Sequence, residues 1–226
     1  MEKCRKISAS ENAYALIKER ILTGKYAPNS VLNEIALSSE LGVSRTPVRA
    51  ALSKLEHEML VKVYPKYGTI VSPVDLDVVH DVFQIRRLLE PFIILNYGVM
   101  IDRKRILMAL KAQQDIRNQQ STINFHYKAD ADLHQIILDA NPNRYVTETL
   151  LKVYDQIQRF RILTGTNSTE RLLKSCEEHL EIINNLLCSN YQAAAKKMDD
   201  HLTASWQATI NLVIYNDNGV QPSLRR

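Results

Sequence analysis

The stretch Leu41-Gly42-Val43-Ser44-Arg45-Thr46-Pro47-Val48-Arg49-Ala50-Ala51-Leu52 decides how the first third of the chain is read. Gly42 interrupts one apolar helical pattern, running from Asn33 to Leu41, and Ser44 opens another. Ser44 is a good N-cap, and Pro47 is tolerated because the first turn of a helix holds backbone N–H groups with no intrahelical partner. Val48, Ala51, Leu52 and Leu55 recur at helical spacing and form a stripe for burial. Arg45 and Arg49 stand four positions apart and share another face of the same helix.

Working outward, Ala13, Leu16, Ile17 and Ile21 lie on one face of a preceding helix that breaks near Gly24, ahead of the turn-forming Tyr26-Ala27-Pro28-Asn29. On the other side, Leu60-Val61-Lys62-Val63-Tyr64 and Thr69-Ile70-Val71 flank Pro65-Lys66-Tyr67-Gly68, which reads as a small hairpin. Three helices and a hairpin make a helix-turn-helix with a wing. The N-terminus of the third helix offers unpaired N–H groups to a phosphate, and the guanidinium forks of Arg45 and Arg49 can reach guanine edges or phosphates, with the Thr46 hydroxyl beside them. Two arginines four apart are ordinarily solvated surface charge. Helix spacing, wing and local charge together point instead to double-stranded DNA.

Composition agrees with that placement. The 226 residues are 45% hydrophobic and 24% charged, with six glycines and seven prolines, which excludes disorder and collagen-like repeats. The net charge is +4, and it has an address: residues 1–72 carry 11 Lys+Arg against 7 Asp+Glu, whereas residues 73–226 carry 18 of each. Cys4, Cys176 and Cys188 are an odd number in no metal-ligand spacing, so a disulfide scaffold is not expected and a reducing cytoplasm is. The N-terminus lacks a signal-peptide core, and no apolar run is long enough to span a bilayer.

From Pro73 onward strand signals vanish, and apolar positions recur at helical spacing near 75–99, 102–120, 122–140, 143–164, 168–188 and 190–216. The expectation is a mainly α protein: a winged helix-turn-helix over 1–72, an all-α six-helix bundle over 73–217 and a flexible tail over 218–226. Within the bundle, Asp130 and His134 are four apart on one helix, and His179 and His201 lie on two later ones. One carboxylate with three imidazoles suits a divalent first-row metal and leaves positions for water or ligand oxygens. By spacing alone Asp132 or Asp199 would serve nearly as well as Asp130, and a histidine on an apolar helix is more often a hydrogen-bonded core residue.

The run Leu32-Asn33-Glu34, then Leu41 to Leu52, then Leu55-Glu56 resembles the winged-helix signature of the GntR family of bacterial transcription regulators. The resemblance implies operator contacts from Ser44, Arg45, Thr46 and Arg49, and from the wing-tip residues Lys66 and Gly68. Ile35 stands where many relatives carry an arginine, which removes one expected DNA contact. Asn29 and Met59 stand where relatives usually have glycine. Asn tolerates a left-handed backbone, but Met59 suits it poorly, so the third helix is expected to end differently.

Farther along, Asp130-Ala131-Asp132-Leu133-His134 with Asn141, then Glu178-His179-Leu180, then Asp200-His201-Leu202 is similar to the FCD ligand-binding domain of the FadR-type branch. The resemblance assigns the metal to Asp130, His134, His179 and His201, with zinc ahead of nickel or manganese. It makes Arg86 a candidate anchor for an effector carboxylate, the alternative being a salt bridge to Glu90. Asn141, Arg159 and Arg161 are further effector candidates, and six bundle helices are closer to the VanR-type subdivision.

The expected function is a cytoplasmic, homodimeric repressor. Two readers about 34 Å apart would match a two-fold-related operator. A small organic acid at the metal would alter their spacing. The rivals are a metalloenzyme in which the Asp/His set activates water, and a constitutive dimeric DNA-binding protein whose histidines are structural.

Overall fold

The computed structural model describes residues 8–64, 67–118, 122–163 and 169–217. They group into two compact units, one of residues 1–74 with 158–163, the other of residues 75–157 with 164–226. The tail at 218–226 lies outside the described residues.

In the first unit, α1 (Ala9–Leu22) begins at a reciprocal cap: Ser8 Oγ accepts from the Glu11 amide at 3.1 Å, and the Glu11 carboxylate accepts from the Ser8 amide at 2.9 Å. Asn33 caps α2 (Glu34–Leu41) by accepting from the amides of Ile35 and Ala36. Gly42, at φ +65°, then turns the chain through a left-handed residue into α3 (Arg45–His57). Ala13, Ile17, Ile21, Leu37, Val48, Ala51, Leu52 and Leu55 form the core, so the stripe in the third helix is what seats it on its neighbours.

The wing has one strand more than the sequence suggests. Val31–Leu32 (β1) pairs antiparallel with Gly68–Val71 (β3), which also pairs with Val61–Tyr64 (β2), in the order β1-β3-β2. A two-residue strand gives too little alternation to be seen in sequence. Met59 also departs from expectation: it takes φ +59°, the left-handed conformation a glycine would adopt, so α3 ends in that manner without one.

The second unit is built from α4 (Leu76–Tyr97), α5 (Arg103–Arg117), α6 (Ile123–Asp139), most of α7 (Arg144–Leu163), α8 (Thr169–Leu187) and α9 (Tyr191–Asp217). Helix α4 lies against α9 and α6, α5 against α6 and α8, and α8 against α9. Ile93, Ile94, Ile106, Leu133, Ile137, Leu138, Leu150, Ile182, Ile183, Met198 and Leu202 pack the interior. Asp75, Asp102 and Thr122 cap α4, α5 and α6 through side-chain oxygens. The fold is therefore a winged helix-turn-helix and an all-α bundle. No described helix is long and apolar enough to cross a membrane.

Candidate functional site

Helices α6, α8 and α9 bring Asp130, His134, His179 and His201 together, with one ligand atom from each lying within 4.8 Å of every other. The Nε2 atoms of His179 and His201 are 3.2 Å apart. Asp130 Oδ1 stands 3.5 Å from His179 Nε2 and 3.9 Å from His134 Nε2. The three imidazoles are buried, and Asp130 is half-buried. Of the carboxylates left open by spacing, Asp132 is exposed and paired with Lys128, and Asp199 is paired with Arg87, which leaves Asp130 at the cluster.

Two of these imidazoles are held from behind. His134 Nδ1 meets Glu90 Oε2 at 2.6 Å, and Glu90 Oε1 accepts from Arg86 Nε at 2.6 Å. His201 Nδ1 meets Glu178 Oε2 at 2.8 Å, and Arg171 forks onto both oxygens of Glu178. Burial opposes a charge on Glu90, but Arg86 and His134 outweigh it and hold that carboxyl down to about 2. A carboxylate at Nδ1 selects the tautomer whose proton is there, which turns the Nε2 lone pair toward the cluster. Burial, above all, lowers the pKa of His201 and favours the neutral imidazole that can act as a ligand. His134 Nε2 is buried and has no hydrogen-bond partner among the described residues.

The effector candidates are dispersed. The Arg86 guanidinium is buried, committed to Glu90 and packed over the rings of Phe83 and Tyr154, so the salt-bridge alternative is the one the geometry presents. Asn141 donates to the Asn143 carbonyl and to Thr147 Oγ1, tying the turn between α6 and α7, while its Oδ1 is buried without a hydrogen-bond partner among the described residues. Arg159 and Arg161 group with the first unit rather than with the bundle, and Arg159 is buried and donates to the Ser72 carbonyl. Spacing pairs Glu90 with Arg86 at i, i+4, but it does not show that Glu90 also holds His134. It gave no sign of Glu178 or Arg171, because their roles depend on how α8 is rotated against α9.

In the first unit, Ser44, Arg45, Thr46 and Arg49 are all exposed on the opening turns of α3. Ser44 makes no side-chain capping bond, which leaves its hydroxyl available. Arg49 Nε donates to Glu34 Oε2 at 2.7 Å, which steadies an exposed side chain. Gly68 opens β3, exposed, at φ +105°, a backbone that a side chain would strain. Lys66 lies outside the described residues.

Known proteins match both halves. Residues 9–71 fit the model for bacterial regulatory proteins of the gntR family, and residues 81–204 fit the FCD domain. Over 194 residues, 83% of this chain and 85% of the relative, the sequence is 26% identical to YdhC of Bacillus subtilis strain 168, an uncharacterized HTH-type transcriptional regulator. A GntR-type regulator structure from Rhodococcus sp. RHA1 superposes with a TM-score of 0.75 at 19% identity, covering 89% of this chain and 97% of that one. The Zn2+-bound FCD domain of TM0439 superposes with a TM-score of 0.52 at 18% identity, over 65% of this chain and 99% of that one. At such identities the structural likeness speaks for the fold.

Proposed function

The chain belongs to the gntR family of bacterial regulatory proteins and carries an FCD domain, and on that footing we propose that it is a dimeric repressor whose hold on operator DNA is set by a small carboxylate bound at a divalent metal in the bundle. It is a transcription regulator and not an enzyme. Action on operator DNA puts its work in the cytoplasm.

One observation carries the metal part of this reading: a buried His134 Nε2 with no hydrogen-bond partner shares a cluster with two imidazoles and a carboxylate. An unsatisfied buried nitrogen costs about 1–3 kcal/mol, which favours a cation as its partner. The His179 and His201 nitrogens are 3.2 Å apart, against the roughly 3.3 Å that two ligands at about 2.0–2.1 Å subtend in a tetrahedral site. Three imidazole nitrogens and one carboxylate suit zinc, with nickel or manganese as alternatives, and the Zn2+-bound state of the TM0439 domain supports zinc. When bound, such an ion supplies a positive centre with positions open to an acid's oxygens.

The chain's own residues do the rest. Glu90 and Glu178 orient two imidazoles, and the four ligands tie α6, α8 and α9. An acid that favours one arrangement of these helices shifts DNA affinity by its differential binding, typically about 1–3 kcal/mol. Arg45, Thr46 and Arg49 read the operator, with Ser44 and the wing tip on phosphates. For the dimer, Leu88, Phe92 and Leu95 of α4, followed by Val99, make an exposed apolar stripe at successive turns that suits a second copy across a two-fold axis.

Elemental analysis of the purified protein, paired with operator titrations with and without candidate acids, tests the reading. Stoichiometric metal and an acid-dependent loss of operator affinity are expected. Metal-free wild type removes the metal, and operator binding indifferent to every acid removes the sensor.

A further inference from the structure

His201 is the ligand that α9 contributes, and its ring is fixed by groups of another helix. Its Nδ1 lies 2.8 Å from Glu178 Oε2 on α8. Arg171, two turns earlier on α8, holds that carboxylate bidentately, 2.9 Å to Oε1 and 3.0 Å to Oε2. The same guanidinium reaches Ser205 Oγ at 3.0 Å, one turn beyond His201 on α9. The chain of contacts therefore leaves α9 at His201, crosses to Glu178 and Arg171 on α8, and returns to α9 at Ser205.

We propose that Arg171 and Glu178 are a positioning pair that aims His201 Nε2 at the metal and makes the seating of α8 on α9 depend on metal occupancy. The proposal rests on the metal reading above. Geometry argues for it in three ways. A bidentate fork fixes the plane of a carboxylate, not merely its distance, so Glu178 cannot rotate away from Nδ1. A carboxylate accepting from Nδ1–H fixes the tautomer and strengthens the Nε2 donor. The Ser205 contact binds the fork to α9 one turn beyond His201, so the pair and the ligand move together.

The arrangement is a second copy of one already described. Arg86 and Glu90 do the same for His134, from α4 to α6, with side chains no more than 4% exposed. The α8–α9 version is wetter, with side-chain exposures of 15% for Arg171 and 20% for Glu178. Of the two, it is the one a change at the site can disturb without exposing a buried charge. A salt bridge serving only to staple two helices would leave the metal's surroundings unaltered when removed, and that difference is measurable.

The experiment compares full-length wild type with Glu178→Leu, Glu178→Gln, Arg171→Met and Arg171→Lys. Cobalt(II) and zinc affinities are obtained by chelator competition, the cobalt(II) d–d spectrum is recorded, and the metal-free melting temperature is measured. Glu178→Leu is expected to weaken both metals about 10- to 100-fold and to shift the cobalt bands. Glu178→Gln, whose amide oxygen still accepts from Nδ1–H, should recover part of the loss, and Arg171→Lys should bind better than Arg171→Met. Affinities within twofold of wild type with an unchanged cobalt spectrum overturn the positioning pair, as does a Gln variant no better than Leu. Should Glu178→Leu fail to fold, the Arg171→Met and Arg171→Lys pair decides alone: wild-type affinity and spectrum in both overturn it. Failure of the wild type to bind either metal overturns the underlying metal reading, a distinct result.

Discussion

His179 Nε2 and His201 Nε2 face one another at 3.2 Å, from α8 and α9, inside a buried cluster that also holds Asp130 and His134. Two imidazole nitrogens at that separation are favourable when a proton or a cation lies between them. A bound ion therefore stabilises the folded bundle by mass action, about 2.7 kcal/mol at a free concentration one hundred times Kd. Zinc should raise the melting temperature of the chelator-treated protein by several degrees, and His179→Ala and His201→Ala should each abolish the rise. Calorimetry showing the same transition with and without metal would sink the prediction.

The pairing of Arg86 with Glu90 calls for a second test. Both side chains are buried, and removal of one partner strands the other's charge, a loss of about 3–5 kcal/mol. Arg86→Met should cost that much stability, whereas a simple effector anchor would cost little. The pH sign follows from Glu90, whose carboxyl is held at about 2, below its ordinary value, first against the cost of burial and by virtue of Arg86 and His134. A depressed carboxylate stabilises the fold above its unfolded pKa, near about 4.3, and that contribution is lost as pH falls toward about 2. Urea unfolding of wild type and Glu90→Gln between those pH values should converge on acidification; parallel curves would contradict the assignment.

Much of this was legible in the sequence, for reasons that also mark where it stopped. The winged helix was readable because Gly42, Ser44 and Pro47 are local signals, each tied to a backbone state. The bundle helices were readable because their apolar period is sustained over many turns, as from Val79 to Ile94 in α4. Asp130 could not be separated from Asp132, since two residues on a helix differ by about 200° in direction and the phase of α6 is known only once it is packed. Glu178 sits next to His179 in sequence, roughly 100° around the helix, so it looks displaced from the site until α9 supplies the imidazole it holds. Strand β1 needed its partner strand to exist at all.

On the proposed DNA-reading face, Arg45 is exposed on the first turn of α3 and Arg49 one turn later, steadied by Glu34. A well-seated arginine to a guanine edge is worth about 1–3 kcal/mol of discrimination. Arg45→Ala and Arg49→Ala should each weaken specific operator binding by about 10- to 100-fold, leaving the melting temperature in place, and each should lower the salt dependence if a phosphate is also lost. Fluorescence anisotropy on operator and scrambled duplexes checks this. Full operator affinity in both variants would remove the assignment.

Met59 offers a test of backbone strain that is independent of function. It holds φ +59° and is 64% exposed, so its side chain packs little in return for the conformation. An L-residue in this region costs roughly 1–2 kcal/mol relative to glycine. Met59→Gly should stabilise the protein by about 0.5–1.5 kcal/mol against urea, the gain being trimmed by glycine's freer unfolded chain. Asn29, at φ +64°, is a residue type that accepts this conformation, so Asn29→Gly should gain much less. Equal responses at the two positions would contradict the strain account.

The apolar stripe on α4 gives the last prediction. Leu88, Phe92 and Leu95 are 63%, 44% and 52% exposed, on the side of the helix opposite the buried Val82, Ile93 and Ile94. The stripe is expected to be covered by a second copy related by two-fold symmetry, because like residues then meet like and the surface is self-complementary. A glutamate at Leu88 or Leu95 places like charges face to face in such an interface, with an effect doubled by symmetry. Sedimentation velocity should show the wild type as a dimer and Leu88→Glu with Leu95→Glu as a monomer of unaltered helical content. Operator affinity should fall in parallel, because a single winged helix reads only a half-site. A double variant that remains dimeric and binds operator normally would move the interface to another face of the molecule.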